Sequence, residues 1–270
     1  MSQQVDAKLS ALGATLESMR QVAVAVSGGV DSVTLAAVAH RRLGANATMF
    51  HAVSPAVPPE ATERTRRHAR QFGWHLEVVD AGEFSDPDYL SNPVNRCFYC
   101  KSSLYGTIAR NSNSIIVSGT NLDDLADYRP GLQAASEQGV RHPYVESRID
   151  KATVRAIAGK LRLEEIADLP ASPCLSSRLE TGISVDVPTL RLVHAVEKLI
   201  GGSLRAETVR CRVRRSGLAI ELDCAAYERV LANDCENLRK QLESLCATCG
   251  YHGPTRFEPY RMGSAFLRDK

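Results

Sequence analysis

The sequence predicts an α/β protein, a doubly wound parallel sheet followed by a smaller α+β domain. Three observations predict it. Apolar strand-like runs alternate with helical periodicity from the N-terminus to about Asp150, the pattern of parallel strands joined by helical crossovers. The apolar run Gln21–Val26 passes through Ser27-Gly-Gly-Val-Asp-Ser32 straight into the helical stretch Val33–His40. Beyond Asp150 the texture changes to a Pro-bearing loop, a helix and two alternating runs joined by a turn.

In chain order, Val5, Leu9, Leu12, Leu16 and Met19 recur at helical spacing and predict a helix over residues 4–20. The first strand and its loop lead into a helix that reaches Leu43, then a strand at Thr48–Val53. Pro58–Phe72 carries charge at helical spacing, and His75–Val79 reads as a third strand. A helix is expected over residues 98–111, and Ser114–Gly119 is a buried strand ending in a turn. Ligands of such sheets bind beyond the carboxyl ends of the strands. Ser27, Ser54 and Gly119 sit at those ends and are expected to ring one pocket.

A helix at Lys151–Leu161 precedes the loop Leu169–Arg178, and another helix spans Pro188–Ile200. Glu207–Arg214 alternates, with Val209, Cys211 and Val213 on one face and Arg210, Arg212 and Arg214 on the other. Arg215-Ser-Gly217 is a turn, and Leu218–Asp223 returns with Glu221 and Asp223 on its polar face. One helix is expected over residues 225–245. The predicted division is residues 1–170 and 171–270, with the second domain starting between 165 and 185.

No apolar run approaches the ~20 residues of a membrane helix, and the N-terminus lacks a signal-peptide core, so a cytoplasmic enzyme is expected. A net charge of +2 neither demands nor excludes a nucleic-acid partner. Eight cysteines in a chain of 270 residues are many for a protein of that compartment, where disulfides are rare. Metal ligation, a cluster or sulfur chemistry is expected of the paired ones. Cys211, Cys224 and Cys235 read as small buried hydrophobes.

The Ser27–Ser32 loop aims backbone N–H groups and two hydroxyls at one point, at the positive end of a helix dipole. Such a nest suits phosphate, and Asp31 within it could help hold an accompanying Mg²⁺. It is neither a Walker loop, which ends in Lys-Ser/Thr, nor the G-x-G-x-x-G of dinucleotide folds. The hexapeptide resembles the PP-loop of ATP pyrophosphatases, which split ATP between the α and β phosphates and adenylate a substrate.

Cys97-Phe-Tyr-Cys100 opens a predicted helix, flanked by Arg96 and Lys101. By itself it reads as half a zinc site, half an iron–sulfur site or a redox pair. Cys174 stands on a polar loop beside Pro173, Ser176, Ser177 and Arg178, an unusual setting for a structural cysteine. Cys246-Ala-Thr-Cys249 is a second C-x-x-C, expected to face solvent; with Cys97 and Cys100 it could also complete a four-Cys zinc site. The three arginines of the alternating strand are either a solvated face partnered by acids such as Glu221, or a patch for phosphate or carboxylate. Arg191, Arg205 and Arg261 add to the positive tone of this half.

Gly119-Thr-Asn-Leu-Asp-Asp124, Arg129-Pro-Gly-Leu-Gln-Ala-Ala135, Pro170–Arg178, Arg212-Val-Arg214 and Pro259-Tyr-Arg-Met-Gly-Ser264 follow the PP-loop in order. Together they resemble the LarE family of ATP-dependent sulfur transferases, which act in nickel-pincer nucleotide cofactor synthesis. The resemblance spans nearly the whole chain. It implies an adenine nucleotide alpha hydrolase-like first domain in which Ser27, Gly28, Gly29, Asp31 and Ser32, with Ser54, Lys101 and Gly119, bind ATP and Mg²⁺. A carboxylate of pyridinium-3,5-biscarboxylic acid mononucleotide would attack the α-phosphorus, and sulfur would then displace AMP to leave a thiocarboxylate. Members obtain sulfur either by sacrificing the cysteine matched by Cys174 or from a [4Fe-4S] cluster on three cysteines. The presence of Cys97 and Cys100 beside Cys174 resembles the cluster-bearing type. Cys174 and Asp31 would then be catalytic, and Arg178, Arg212, Arg214 and Arg261 would bind substrate, with Glu197 and Glu221 nearby. Cys246 and Cys249 have no counterpart in the family pattern.

The expected partners are the small pyridinium mononucleotide, a sulfur donor and further copies of the chain in a homo-oligomer, with no membrane and no nucleic acid. Two other readings compete. A PP-loop tRNA thiolation enzyme would use the Arg-rich strand, but no RNA-binding module and no strong positive charge accompany it. A non-catalytic iron–sulfur or adenylate-binding protein would release no pyrophosphate.

Overall fold

The structure is a computed structural model that describes residues 2–126, 129–171, 173–232 and 235–265, with Ser2 and Glu164 described by their backbone alone. The chain forms two compact units, Met1–Ser85 with Asn95–Ser172, and Asp86–Val94 with Pro173–Lys270.

The first unit begins with α1 (Ser2–Met19), β1 (Val22–Ala25) and α2 (Val30–Leu43), followed by β2 (Ala47–Ala52), α3 (Pro59–Phe72) and β3 (His75–Val79). After the excursion of α4 (Pro87–Leu90) into the second unit, it resumes with α5 (Arg96–Asn111) and β4 (Ile115–Val117). It closes with α6 (Pro130–Glu137), α7 (Pro143–Glu146), α8 (Lys151–Lys160) and α9 (Glu164–Ala167). The strands are parallel in the order β3-β2-β1-β4, with Val22 beside Ala47 on one side and Ile115 on the other.

Every residue of β1 is buried, because both faces of the sheet are covered. Val22 and Val24 pack with Leu12 and Leu16 of α1, Val33 and Val38 of α2, and Ile157 of α8. Ala23 and Ala25 face the other way, with Phe50, Tyr105 and Ile108. Each large aliphatic side chain so buried contributes about 1.5–3 kcal/mol. The doubly wound sheet expected from the sequence is therefore present.

The second unit adds α10 (Val187–Leu204), β5 (Val209–Arg214), β6 (Gly217–Leu222), α11 (Cys224–Ala232), α12 (Glu236–Thr248) and β7 (Thr255–Pro259). Its sheet runs β5-β6-β7, antiparallel in the hairpin and parallel between β6 and β7. Asp186 starts α10 by accepting the Thr189 N–H (2.8 Å), and Leu190, Val193, Val196 and Ile200 form its buried stripe. This is the smaller α+β domain anticipated from the sequence.

Several details differ from the sequence reading. The single helix expected over 225–245 is two helices, α11 and α12, on either side of Asn233 and Asp234, which lie outside the described residues. Asp223 is not on the strand's polar face: it follows β6 and caps α11 by accepting the Ala226 N–H at 2.9 Å. β7 was not anticipated, since its five residues pair with β6 only after the α11–α12 crossover. Cys224 is exposed, not buried, because it opens α11 at the surface; Cys211 is buried as expected. Cys246 is buried, not solvent-facing, because it lies on the inner stripe of α12 with Leu238 and Leu242.

Candidate functional site

β1 ends in the Ser27–Ser32 loop. The Ser32 hydroxyl accepts the Ser27 N–H (3.0 Å), meets the Ser27 hydroxyl (3.1 Å) and donates to Gly29 O (3.2 Å). Gly28 has φ +81°, and a Cβ there would stand 2.7 Å from the Ala61 carbonyl oxygen of α3. Arg64 of α3 donates its Nε–H to Gly28 O at 2.7 Å, so α3 clamps the loop from outside. Gly29 is the N-cap of α2 and supplies no side-chain cap. A Cβ on Gly29 would meet only Ser27 Oγ, at 3.6 Å. The first turn of a 14-residue helix is thus left without a side-chain cap, an end suited to an oxyanion.

The sheet order supplies the place. β1 leads to β2 and β3 on one side, while β4 joins on the other, so the crevice at the carboxyl ends of β1 and β4 is a topological switch point. Gly119, just after β4, comes so close to α2 that a Cβ would lie 2.9 Å from Ser32 N. The following Asn121 is 1% exposed; it donates to Asp31 Oδ1 (3.1 Å) and accepts the Asp123 N–H (3.0 Å). Lys151 of α8 forms an ion pair with Asp31 Oδ2, and Tyr144 donates its hydroxyl to the Asp31 carbonyl oxygen (2.9 Å). Burial raises the Tyr144 phenol well above its ordinary range, with a smaller push from Asp31. Ser54, beyond β2, accepts the Ala56 N–H at 3.3 Å and shapes the turn there.

His51 of β2 is buried, with Nδ1 2.8 Å from Val26 O and Nε2 2.9 Å from the Thr62 hydroxyl. It ties the strand that feeds the loop to α3. Burial lowers its pKa; the Val26 carbonyl opposes this in part, while Arg66 and Arg64 add to it. Lys151, Arg64, Tyr144 and His51 were not singled out by the sequence, because each reaches the loop from a distant segment. Asn121 stood inside a quoted motif without a role.

Cys97 and Cys100 lie in the first turn of α5, three residues apart and so on one helical face; Cys97 is exposed and Cys100 half-buried. The Arg129–Ala135 motif forms α6 beside them: a Cβ on Gly131 would stand 3.0 Å from Lys101 Cγ and 3.7 Å from Cys97 O. Lys101 Nζ lies 5.9 Å from the centre of the Tyr105 ring.

Cys174, half-buried in the second unit, precedes a one-turn 3-10 helix. Its carbonyl accepts the Ser177 N–H (3.0 Å), the Ser177 hydroxyl (2.7 Å) and Arg178 Nη1 (3.1 Å). Arg178 also donates to Pro173 O (2.8 Å) and spans Glu197 with two bonds, at 2.9 and 3.0 Å. Buried to 3% exposure, it holds the Cys174 loop in shape. Among the described residues, no group of three or more His, Cys, Asp or Glu side chains is gathered as a metal site.

The arginine face of β5 is covered rather than solvated. Arg212 donates to Glu221 Oε2 (2.8 Å) and Ser177 O (3.1 Å). Arg214 bridges Glu221 (2.9 Å) and Glu258 (2.8 Å), two carboxylates that the β6–β7 register places side by side. Glu221 is fully buried and receives Ser264 as well. Burial pushes the Glu258 carboxyl up, but hydrogen bonds from Arg256 and Arg214 outweigh it and leave the pKa below its ordinary value. Arg261 is exposed at its side chain. Cys211 and Cys246 bear on each other inside this unit, and burial raises both thiols, Cys211 well above its ordinary range.

No family model matches the chain. An uncharacterized protein of Synechocystis sp. is 39% identical over 222 residues, which cover 81% of this chain and 82% of that protein. An uncharacterized protein of Methanocaldococcus jannaschii is 23% identical over 208 residues, 76% of this chain and 78% of its own. The pyridinium-3,5-bisthiocarboxylic acid mononucleotide synthase of Lactiplantibacillus plantarum is 31% identical over 243 residues, 88% of this chain and 87% of the synthase. That identity over nearly full length, on a fold that sets the Ser27–Ser32 loop at its switch point, makes this chain a member of the LarE family of that synthase.

Proposed function

We propose that the chain is an ATP-dependent sulfur transferase that adenylates the carboxylates of pyridinium-3,5-biscarboxylic acid mononucleotide and converts them to thiocarboxylates. The observation that carries this reading is the open, uncapped start of α2 at the switch point, with Asp31 beside it. The relationship to the Lactiplantibacillus plantarum synthase supports the substrate. A carboxylate is a poor electrophile; attack of its oxygen on the α-phosphorus expels pyrophosphate and installs AMP as a leaving group. A sulfur nucleophile then adds to the acyl carbon and AMP departs with the electron pair.

The first unit would be the ATP pyrophosphatase domain. Ser27, Gly28, Gly29 and Ser32 would cradle the phosphates with backbone N–H and hydroxyl donors, and Ser54, Lys101 and Gly119 would border the nucleotide. Mg²⁺ would be held by Asp31 and the phosphates. A single carboxylate fits an ion that arrives with its nucleotide and keeps several waters. The second unit would be the substrate and sulfur-transfer domain. Exposed Arg261 would meet the mononucleotide directly, while Arg178, Arg212 and Arg214, already paired with Glu197, Glu221 and Glu258, would shape the site around it. Cys97, Cys100 and Cys174 offer three soft thiolates, a donor set that fits a [4Fe-4S] cluster; one iron would stay free of protein and supply a removable sulfide.

The tRNA-thiolation alternative loses its main support, since Arg212 and Arg214 are neutralised within the unit by Glu221 and Glu258.

The test is pyrophosphate release from ATP with the biscarboxylic mononucleotide, on anaerobically purified protein assayed for iron and sulfide. Brown protein absorbing near ~400 nm is expected, with the colour lost in Cys97→Ala. No pyrophosphate with any pyridinium carboxylate would sink the enzyme reading. A colourless Cys97→Ala protein that still transfers one sulfur per chain, with loss of mass at Cys174, would establish the sacrificial route instead.

A further inference from the structure

Both oxygens of the Asp31 carboxylate are engaged within the protein. Asn121 donates to Oδ1 at 3.1 Å, and the Lys151 ammonium is paired with Oδ2. Lys151 is the first residue of α8, and its own N–H donates to Asp123 Oδ2 at 2.8 Å. That bond holds its backbone independently of the ammonium, which is joined to Asp31 at the end of a four-carbon stem. The side chains of Lys151 and Asp31 are 37% and 25% exposed, so the pair stands at the open edge of the loop rather than in the core. Asp31 itself sits in the first turn of α2, beside the N–H groups that would receive phosphate.

Asp31 Oδ2 cannot serve a metal ion while it serves Lys151. A magnesium-bound triphosphate brings about two net negative charges, and a lysine ammonium is a natural point-charge partner for phosphate oxygens. An exchange leaves every charge matched: the metal goes to Asp31, and Lys151 goes to the triphosphate.

We propose that Lys151, paired with Asp31 in the structure, is a catalytic residue of adenylation that is transferred to the triphosphate when the metal–nucleotide binds. The proposal rests on the adenylating activity assigned above. In the chemical step the substrate carboxylate oxygen bonds to the α-phosphorus. The bond from that phosphorus to the oxygen bridging the β-phosphate breaks, and its electron pair leaves on pyrophosphate. No proton or electron is needed from elsewhere. Lys151 stays protonated throughout and balances the charge that builds on the departing pyrophosphate.

The test measures binding of the α,β-methylene analogue of ATP by calorimetry, with and without Mg²⁺, in the wild type and in Lys151→Gln and Asp31→Asn. The readout is the ratio of the two affinities. Lys151→Gln leaves Asp31 unpaired and repelling a metal-free triphosphate, so metal-free binding is expected to weaken about 10-fold, the scale of one charged contact. Mg²⁺ occupies the vacated carboxylate, so metal-assisted binding weakens less and the ratio of metal-assisted to metal-free affinity rises. Asp31→Asn removes the metal's ligand and releases Lys151, so the ratio falls toward one. Lys151→Arg, which keeps the charge, is expected to bind the metal-free analogue within about 3-fold of the wild type, against the roughly 10-fold loss of a charged contact. A lysine that merely braces the fold would weaken both affinities in parallel, and an unchanged ratio in Lys151→Gln overturns the exchange. Wild-type protein that binds no analogue at all overturns the adenylation reading, and the exchange with it. Wild-type binding with an unmoved ratio overturns the exchange alone.

Discussion

Gly28 and Gly29 are adjacent in the sequence, yet replacing each with alanine should have opposite consequences for stability and binding. Gly28 sits at φ +81°, where an added Cβ would lie 2.7 Å from the Ala61 carbonyl oxygen and 3.0 Å from the Thr65 hydroxyl. Left-handed backbone costs an alanine about 1–2 kcal/mol. The clash is with helix backbone that cannot rotate away, and overpacking of that kind adds about 1–3 kcal/mol. Gly28→Ala should therefore destabilise the first unit by about 2–5 kcal/mol, lowering its melting temperature by about 4–20 °C. Gly29 has φ −85° and would place its Cβ 3.6 Å from Ser27 Oγ, an ordinary contact. Its replacement should cost no more than about 1 kcal/mol, the usual cost of alanine at an N-cap. The Cβ of Gly29→Ala would instead fill the space over the α2 N–H groups. Loss of one hydrogen bond to a charged phosphate, about 1.5–3 kcal/mol, should weaken nucleotide binding by about 10–150-fold. Trp74, the one tryptophan, is 6% exposed and stacks with Phe72 and His68 in the first unit, so its fluorescence reports unfolding of that unit. Calorimetry with an ATP analogue reports binding. A Gly28→Ala protein within about 0.5 kcal/mol of wild type, the scatter of ordinary surface changes, would refute the steric argument. Nucleotide binding by Gly29→Ala weakened by less than about 10-fold, below the whole expected range, would refute the assignment of the cradle.

Two further perturbations test the electrostatics. Glu221→Ala removes the buried carboxylate shared by Arg212 and Arg214, and should destabilise the second unit by about 3–5 kcal/mol in urea titrations followed by circular dichroism. An unchanged midpoint would show that other acids neutralise the two arginines. Burial lowers the pKa of His51, His68 and His142 below the ordinary 6.5 in the folded protein. The unfolded chain then binds more protons, so stability is complete above that value and is lost as pH falls below it. Urea midpoints by Trp74 fluorescence should fall from pH 7.5 toward 5.5, roughly the span over which an unperturbed imidazole titrates, and His51→Gln should flatten the slope. A midpoint that rises on acidification would contradict the sign.

Much of the fold was legible because its signals are local. The helical spacing of Leu9, Leu12 and Leu16, the apolar runs of β1 and β2, and the Gly-Gly turn into α2 each report on neighbours within a few residues. The start of α8 was placed at Lys151, and the structure shows Asp150 capping it by accepting the Thr153 N–H at 2.8 Å. β7 was not, since a five-residue strand gains its meaning only beside β6. Nor was the break between α11 and α12, where a continuous helical pattern concealed two helices.

By itself, the sequence determined the Gly-Gly turn between β1 and α2 and the C-x-x-C spacing at the start of α5, because those depend on residue type and short spacing. Tertiary structure alone decided how the charges are partnered. Lys151 reaches Asp31 from 120 residues away. Arg214 bridges two carboxylates that only the β6–β7 register brings together. The arginine stripe, which alternation left open as either an acid-partnered face or an anion patch, is thereby an ion-pair network centred on the buried Glu221. Opposite charges pair wherever packing excludes water, and which segments packing brings together is not written in the residues beside them.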